Sequence, residues 1–112
     1  MKTYNFPIEV TLDVVGGKWK VVILCILLDG KKRTSEIKRA MPSITQKMLT
    51  QQLRELESDG IIDRTVYTQI PPKVEYSLSE YGTSLTKVLD NMCEWGKNHI
   101  EKKLEDDLLS AN

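Results

Sequence analysis

Thr45-Gln-Lys-Met-Leu-Thr-Gln-Gln-Leu-Arg-Glu-Leu-Glu-Ser-Asp-Gly60 has the pattern of one amphipathic helix with two different faces. Its leucines recur four and three residues apart, which is the spacing that lets a helix bury one side. The hydroxyl of Thr45 is suited to cap the first turn. The opposite face carries amide, hydroxyl and cationic groups, which reach base edges and phosphates in a major groove. A solvated surface helix has the same pattern, so the neighbouring sequence must decide.

Positive charge is concentrated around this helix, although the formal net charge of the chain is zero. Between Gly17 and Arg54 there are nine lysines and arginines against Asp29 and Glu36, a balance of plus seven, and the remaining residues carry minus seven. Segregation of this kind favours a basic surface that faces a polyanion, with the acidic residues turned elsewhere.

The length of 112 residues and the 40% hydrophobic content predict a single domain over residues 1–112. The longest apolar run, residues 21–28, is too short to span a bilayer and predicts a buried helix. Because the N-terminus lacks the apolar stretch of a signal peptide, we expect a cytoplasmic protein without a membrane partner.

Three predicted helices precede the opening stretch. Apolar spacing predicts one helix over residues 7–15, ending at Gly16-Gly17, and a second over residues 18–28. After the basic loop Lys31-Lys32-Arg33, residues 34–41 predict a short helix with a Thr or Ser N-cap, and Pro42 closes it. A short helix, a brief turn and the amphipathic helix that Thr45 caps make a helix-turn-helix.

Two runs of alternating residues follow, at 61–67 and 73–78, separated by Thr68-Gln-Ile-Pro-Pro72. They predict a β-hairpin whose tip is stiffened by proline. A hairpin in this position is typical of the wing of a winged helix, although a plain surface hairpin is the alternative. The fold class is therefore mostly α with a small β-hairpin wing.

One long helix is predicted from Ser79 onward, with apolar residues every three or four positions. Its apolar stripe is longer than so small a core can cover, so part of it should pack against a second copy of the chain, together with the first helix. We expect a homodimer made by the terminal helices, with these contact residues: Ile8, Leu12, Trp19, Leu85, Leu89, Met92, Trp95 and Ile100.

Neither the cysteines nor the single histidine indicates a metal or catalytic site. Cys25 and Cys93 have no metal-ligand spacing, and a structural disulfide is not expected in the cytoplasm. Cys25 is expected to behave as a small buried hydrophobic residue, and Cys93 is a possible thiol sensor if exposed. We predict no cofactor, no metal and no enzymatic activity, because no nucleophile, base and orienting group come together.

Four blocks of the chain resemble the HxlR-type transcriptional regulators, a winged-helix group related to the MarR-like repressors. The blocks are Thr11-Leu-Asp-Val-Val-Gly-Gly-Lys-Trp-Lys20, residues 44–60, Pro71-Pro-Lys-Val-Glu-Tyr-Ser-Leu78, and residues 89–96 with Trp95. The resemblance implies a DNA-binding homodimer with the helix from Thr45 in the major groove. Some members sense electrophiles or disulfide stress through a cysteine just before the N-terminal proline. In this chain Phe6 stands before Pro7. The sensing cysteine is therefore missing at this position, and the inducing signal is unknown.

The function predicted from these observations is a sequence-specific transcriptional regulator that binds double-stranded DNA at an inverted repeat. The alternative is a winged-helix module that binds protein or RNA without specific DNA readout. The expected base-reading residues are Gln46, Lys47, Thr50, Gln51 and Arg54. The residues expected at phosphates or on the wing are Lys18, Lys20, Arg33, Ser35, Arg64, Gln69 and Lys73.

Overall fold

The computed structural model describes residues 3–110, so the outermost two residues at each end of the predicted 1–112 domain lie outside the described residues. Within residues 3–110, five α-helices and three strands form a winged helix flanked by an N-terminal and a C-terminal helix. The winged-helix fold class is as predicted. In chain order the elements are α1 Pro7–Val15, α2 Lys20–Leu27, β1 Lys32–Arg33, α3 Thr34–Ala40, α4 Gln46–Ser58, β2 Ile62–Tyr67, β3 Lys73–Leu78, a 3-10 turn Gly82–Leu85, and α5 Thr86–Ser110.

Helix α4 has both ends defined by hydrogen bonds. The Thr45 hydroxyl accepts the backbone N–H of Met48 at 3.1 Å, which confirms the predicted N-cap. At the other end, the N–H of Ile61 donates to the Leu56 carbonyl at 3.0 Å across Gly60, whose φ of 75° favours glycine. The buried side chain of Ile61 anchors this cap to the core, and β2 begins at the next residue.

Helix α3 begins differently from the prediction. Its N-cap is Arg33, not a threonine or serine, and the Arg33 side chain makes no capping bond. Glu36 instead accepts the backbone N–H of Arg33 at 2.9 Å. A carboxylate in the first turn can satisfy a free N–H without a hydroxyl at the cap, so Thr34 becomes the first helical residue.

The sheet contains a strand that the sequence pattern did not reveal. Residues predicted as a basic loop form β1, which pairs antiparallel with β3 so that Lys32 lies opposite Tyr76 and Arg33 opposite Glu75. The order is β1-β3-β2, and the predicted hairpin is confirmed as β2 and β3. The start of α3 is thereby joined to the wing.

The buried hydroxyl of Ser79 joins the base of the wing to the start of the last helix. It lies 2.6 Å from the carbonyl oxygen of Gly60 and 3.0 Å from that of Ile61, and it accepts the N–H of Gly82 at 2.8 Å. Residues 79–81 are therefore not helical, and a 3-10 turn precedes α5. The predicted helix from Ser79 was thus too long by seven residues, about two helical turns, because this local hydrogen bonding replaces the first helical bonds.

Apolar side chains from the four shorter helices, the strands and α5 form one core. The α4 stripe is central, with Leu49, Leu53 and Leu56 at most 1% exposed. The other buried apolar residues are Val15, Ile23, Leu24, Leu27, Ile37, Met41, Ile44, Ile61, Ile62 and Leu89. No helix within residues 3–110 is long and apolar enough to cross a membrane.

Candidate nucleic-acid interface

The face of α4 opposite the leucines is open to solvent. Lys47, Gln51 and Arg54 are exposed and lie one helical turn apart along this face, with exposed Ser58 following them. Within the residues described, neither Lys47 nor Arg54 makes an ion pair of 4.0 Å or less. Their donors are thus directed to solvent and available to a ligand.

Gln46 and Thr50 occupy the edge of this face and bind each other. The Thr50 hydroxyl donates to the Gln46 carbonyl at 3.0 Å, and the Gln46 side-chain amide donates to the Thr50 hydroxyl at 3.4 Å. Thr50 is half-buried. These bonds orient both side chains in the first turns of α4, where a helix entering a groove approaches the bases.

A groove separates the start of α3 from the wing, and it brings together four residues predicted at phosphates or on the wing. Arg33, Ser35, Gln69 and Lys73 all line it, in a space of about 250 Å³. Arg33 lies opposite Glu75 in the sheet, and Lys73 is two residues from Glu75, so the Arg33 and Lys73 side chains share one face of the sheet. Thr34, Pro71 and Pro72, which the sequence reasoning did not select, also line the groove.

The charge of Lys73 is shared within the wing. Its Nζ atom lies 3.6 Å from Glu75 Oε2 and 4.9 Å from the centre of the Tyr67 ring. A hydrogen bond from the Tyr67 hydroxyl lowers the pKa of Glu75, and the positive charges of Lys73 and Lys31 lower it further. Glu75 therefore stays ionised and holds Lys73 near the groove.

Arg64 is placed apart from the groove. It pairs with Tyr76 across the hairpin, whereas Lys73 pairs with Tyr67, so strand alternation puts Arg64 on the opposite face of the wing. Its side chain is exposed. The tip between the strands carries Ile70, whose side chain is fully exposed.

Lys20 differs from the expectation of a phosphate contact. Lys20 is only 9% exposed, and its Nζ atom lies 3.6 Å from Glu55 Oε2 on the flank of α4. The sequence placed Lys20 in the basic segment, but the fold turns the side chain inward to neutralise an acidic group. We therefore leave Lys20 out of the interface, while Lys18, exposed with its Nζ 4.7 Å from the Trp19 ring centre, stays in it.

The residues expected at a dimer contact divide into two groups. Ile8, Leu12, Met92, Trp95 and Ile100 are between 51% and 68% exposed in the single chain. Leu89 is buried at 1% exposure in the chain's own core, and Trp19 and Leu85 are partly buried against that core. Leu89 therefore cannot face a second copy. The first part of the apolar stripe of α5 packs against the chain's own core, and only the later part is exposed. The exposed apolar surface continues through Leu104, Leu108 and Leu109.

Neither cysteine is in a disulfide. Cys93 is exposed, and Cys25, which was expected to be a small buried hydrophobic residue, is half-buried against the core. Among the described residues, no group of three histidines, cysteines or carboxylates is arranged to hold a metal ion.

A family profile described as HxlR-like helix-turn-helix matches residues 14–104, which include every residue of the candidate nucleic-acid interface. The chain belongs to this family. It is 69% identical to the uncharacterised HTH-type transcriptional regulator YtcD of Bacillus subtilis over 101 residues, covering 90% of this chain and 80% of YtcD. It is 56% identical to an uncharacterised HTH-type transcriptional regulator of Methanothermobacter thermautotrophicus, covering 84% and 72% of the two chains.

Solved structures agree with this assignment. The crystal structure of YtcD superposes with a TM-score of 0.82 at 68% identity, covering 86% of this chain and 98% of that one. The redox regulator HypR in its oxidized form superposes with a TM-score of 0.81 at 58% identity, covering 83% and 96%. The chain is thus a transcriptional regulator with a helix-turn-helix DNA-binding fold.

Proposed function

We propose that this protein is a cytoplasmic, sequence-specific regulator that binds an inverted-repeat operator as a homodimer. The observation that carries the proposal is the exposed outer face of α4, in the same helix-turn-helix as the groove at the start of α3. Exposed donors on α4 match what base edges in a major groove accept, and the adjacent groove offers cationic and hydroxyl groups for the flanking phosphates.

Within this arrangement, Gln51 and Arg54 are the main base readers. A glutamine amide can bind adenine through two hydrogen bonds, and an arginine fork can bind guanine in the same way. Gln46, Lys47 and Thr50 contribute at the start of the helix. Arg33, Ser35, Gln69 and Lys73 hold the DNA backbone at the groove, and Lys18 and Arg64, which lie outside the groove, contact phosphates farther along the duplex.

The homodimer is supported by apolar side chains that a single chain leaves in water. On α1 these include Ile8 and Leu12, and on α5 they include Met92, Trp95 and Ile100. A monomer rarely exposes so continuous an apolar surface, and a two-fold dimer would cover the same patch on both copies. Two α4 helices related by that axis would reach half-sites about one helical turn, roughly 34 Å, apart.

Selection of bound fragments from random-sequence DNA with the purified protein tests the proposal. We expect enrichment of an inverted repeat whose half-sites are about 10 base pairs apart from centre to centre. Affinity for the recovered site should fall steeply with salt, because each neutralised phosphate releases counterions. A parallel selection with the Gln51→Ala/Arg54→Ala chain is the matched control and should lose the motif while retaining weak general affinity. Recovery of no motif by the wild-type protein would refute sequence-specific binding.

A further inference from the structure

The two cysteines of this chain meet in space although they are 68 residues apart in sequence. Cys25 on α2 and Cys93 on α5 place their Sγ atoms 3.7 Å apart, which is the separation of two thiols in contact. A disulfide needs about 2.05 Å between the sulfurs. Rotation of the two side chains with a small approach of the helices would cover the difference.

The two thiols have different surroundings. Cys93 is exposed, so a small oxidant in solution reaches its sulfur. Cys25 is partly buried against the core, and this burial, together with its hydrogen bond to Cys93 and the negative charge of Asp90, raises its pKa to about 11. At neutral pH Cys25 therefore remains a thiol and is the poorer nucleophile toward an oxidant.

We propose that Cys25 and Cys93 form an oxidation site at which a peroxide converts the two thiols into an intrachain disulfide joining α2 to α5. The Cys93 sulfur attacks one oxygen of hydrogen peroxide, the O–O bond breaks, and Cys93 becomes a sulfenic acid as one water leaves. The Cys25 sulfur then attacks the Cys93 sulfur, the S–O bond breaks, and the Cys25 proton leaves with the hydroxide as a second water. Two thiols are oxidised and one peroxide is reduced.

The position of the pair gives the bond a structural consequence. Cys25 lies on a helix that is part of the domain core, and Cys93 lies four residues beyond Leu89, near the point where α5 leaves that core. A bond there fastens the free part of α5 to α2 and closes a long loop of the chain. Closing a long loop restricts the unfolded chain, so the oxidised protein should unfold at a higher temperature. This proposal stands independently of DNA binding.

Oxidation of the purified reduced protein with equimolar hydrogen peroxide tests it. The intact mass should fall by that of two hydrogen atoms, and the tryptic peptides of residues 21–31 and 88–97 should be recovered as one linked species. The Tm should rise by several degrees and return when dithiothreitol is added. On a non-reducing gel the protein should run as a single chain, since the bond is internal.

Single-cysteine variants assign the two roles. In Cys25→Ser, Cys93 should accumulate as a sulfenic acid that dimedone captures, because no second thiol resolves it. In Cys93→Ser, Cys25 should stay largely reduced under the same treatment. Circular dichroism of both variants verifies that they are folded. Peroxide-treated wild type that forms chain-to-chain disulfides, retains two free thiols or carries sulfinic acid on Cys93 without the linked peptide would overturn the proposal.

Discussion

The ammonium group of Lys20 lies 3.6 Å from the carboxylate of Glu55, and this pair joins α2 to the flank of α4. Lys20 neutralises the negative charge of Glu55 next to the exposed Gln51 and Arg54 of α4 and contributes no free positive charge there. The basic character of the surface therefore depends on the cations that remain exposed, such as Lys47, Arg54 and Arg33.

The salt dependence of DNA binding should separate these two kinds of cation. Arg33→Met should reduce the slope of log K against log salt by about 1, since one phosphate contact is lost. Lys20→Met combined with Glu55→Gln removes this ion pair without changing the net charge and should leave the slope unchanged. Fluorescence anisotropy at a series of salt concentrations measures both. Equal slopes for Arg33→Met and wild type would exclude Arg33 from the phosphate contacts.

Adjacent glutamines on α4 allow a matched test of base reading. Gln51 is exposed on the outer face, whereas the Gln52 amide lies 3.4 Å from both the Met48 sulfur and the Glu55 carboxylate at the side. Gln51→Ala should weaken operator binding by about 1–3 kcal/mol, or roughly 5- to 150-fold in Kd, while Gln52→Ala should change it little. Gel-shift titrations measure the Kd of each variant for the operator. If neither Gln51→Ala nor Arg54→Ala alters binding to promoter DNA, an interaction module for protein or RNA becomes the better interpretation.

The exposed part of α5 should determine the oligomeric state. Trp95→Glu and Ile100→Glu each place a charge on apolar surface that we propose is covered in the dimer, so both should shift the protein toward monomer. Thr68→Glu adds the same charge on the wing loop, away from the terminal helices, and should leave the dimer intact. Light scattering after size-exclusion chromatography gives the masses. A wild-type protein that elutes as a monomer would contradict the dimer itself.

Two glycines of similar sequence context should respond oppositely to alanine. A Cβ at Gly82 would overlap the Ile61 carbonyl oxygen, whereas one at Gly96 meets nothing within 4 Å. Gly82→Ala should destabilise the protein by about 1–3 kcal/mol. Gly96→Ala, inside α5, should be neutral or stabilising by up to about 1 kcal/mol. Urea unfolding followed by circular dichroism, at one protein concentration, compares them. A tolerated Gly82→Ala would mean that the Ser79 connection can shift.

The raised pKa of Cys25 predicts a pH dependence of stability under reducing conditions. The folded state keeps the Cys25 proton up to a pKa of about 11, while the unfolded state loses it near the ordinary value of 9.0. Between these values the folded state binds more protons, so this contribution is full below pH 9 and is lost as pH rises toward 11. The unfolding free energy of wild type should therefore fall relative to Cys25→Ala over this interval. A constant difference would contradict the shift.

Elements with regular apolar spacing were predictable from the sequence, and those that depend on distant partners were not. The leucines of α4 and the Thr45 cap are local signals, and the structure confirms both. Strand β1 has two residues and no alternation, so only its pairing with β3 reveals it. The late start of α5 depends on Ser79 bonding to Gly60 and Ile61, which no local pattern encodes.

The same distinction applies to the candidate site. The exposed positions of Lys47, Gln51 and Arg54 follow from helical periodicity alone. The inward turn of Lys20 depends on Glu55, which is far along the chain, and the burial of Leu89 depends on which part of a continuous stripe meets the domain. Charge counting over a segment cannot distinguish a paired lysine from a free one.

The short pairing of β1 with β3 fixes the number of residues that can lie between Gly30 and Thr34. Side chains alternate along a strand, so inserting one residue there would slide the pairing and turn Arg33 away from the groove. The loop at 68–72, in contrast, lies outside the paired rungs and can change in length without moving them. Engineered exchanges between relatives should therefore tolerate new wing tips but not a lengthened approach to α3.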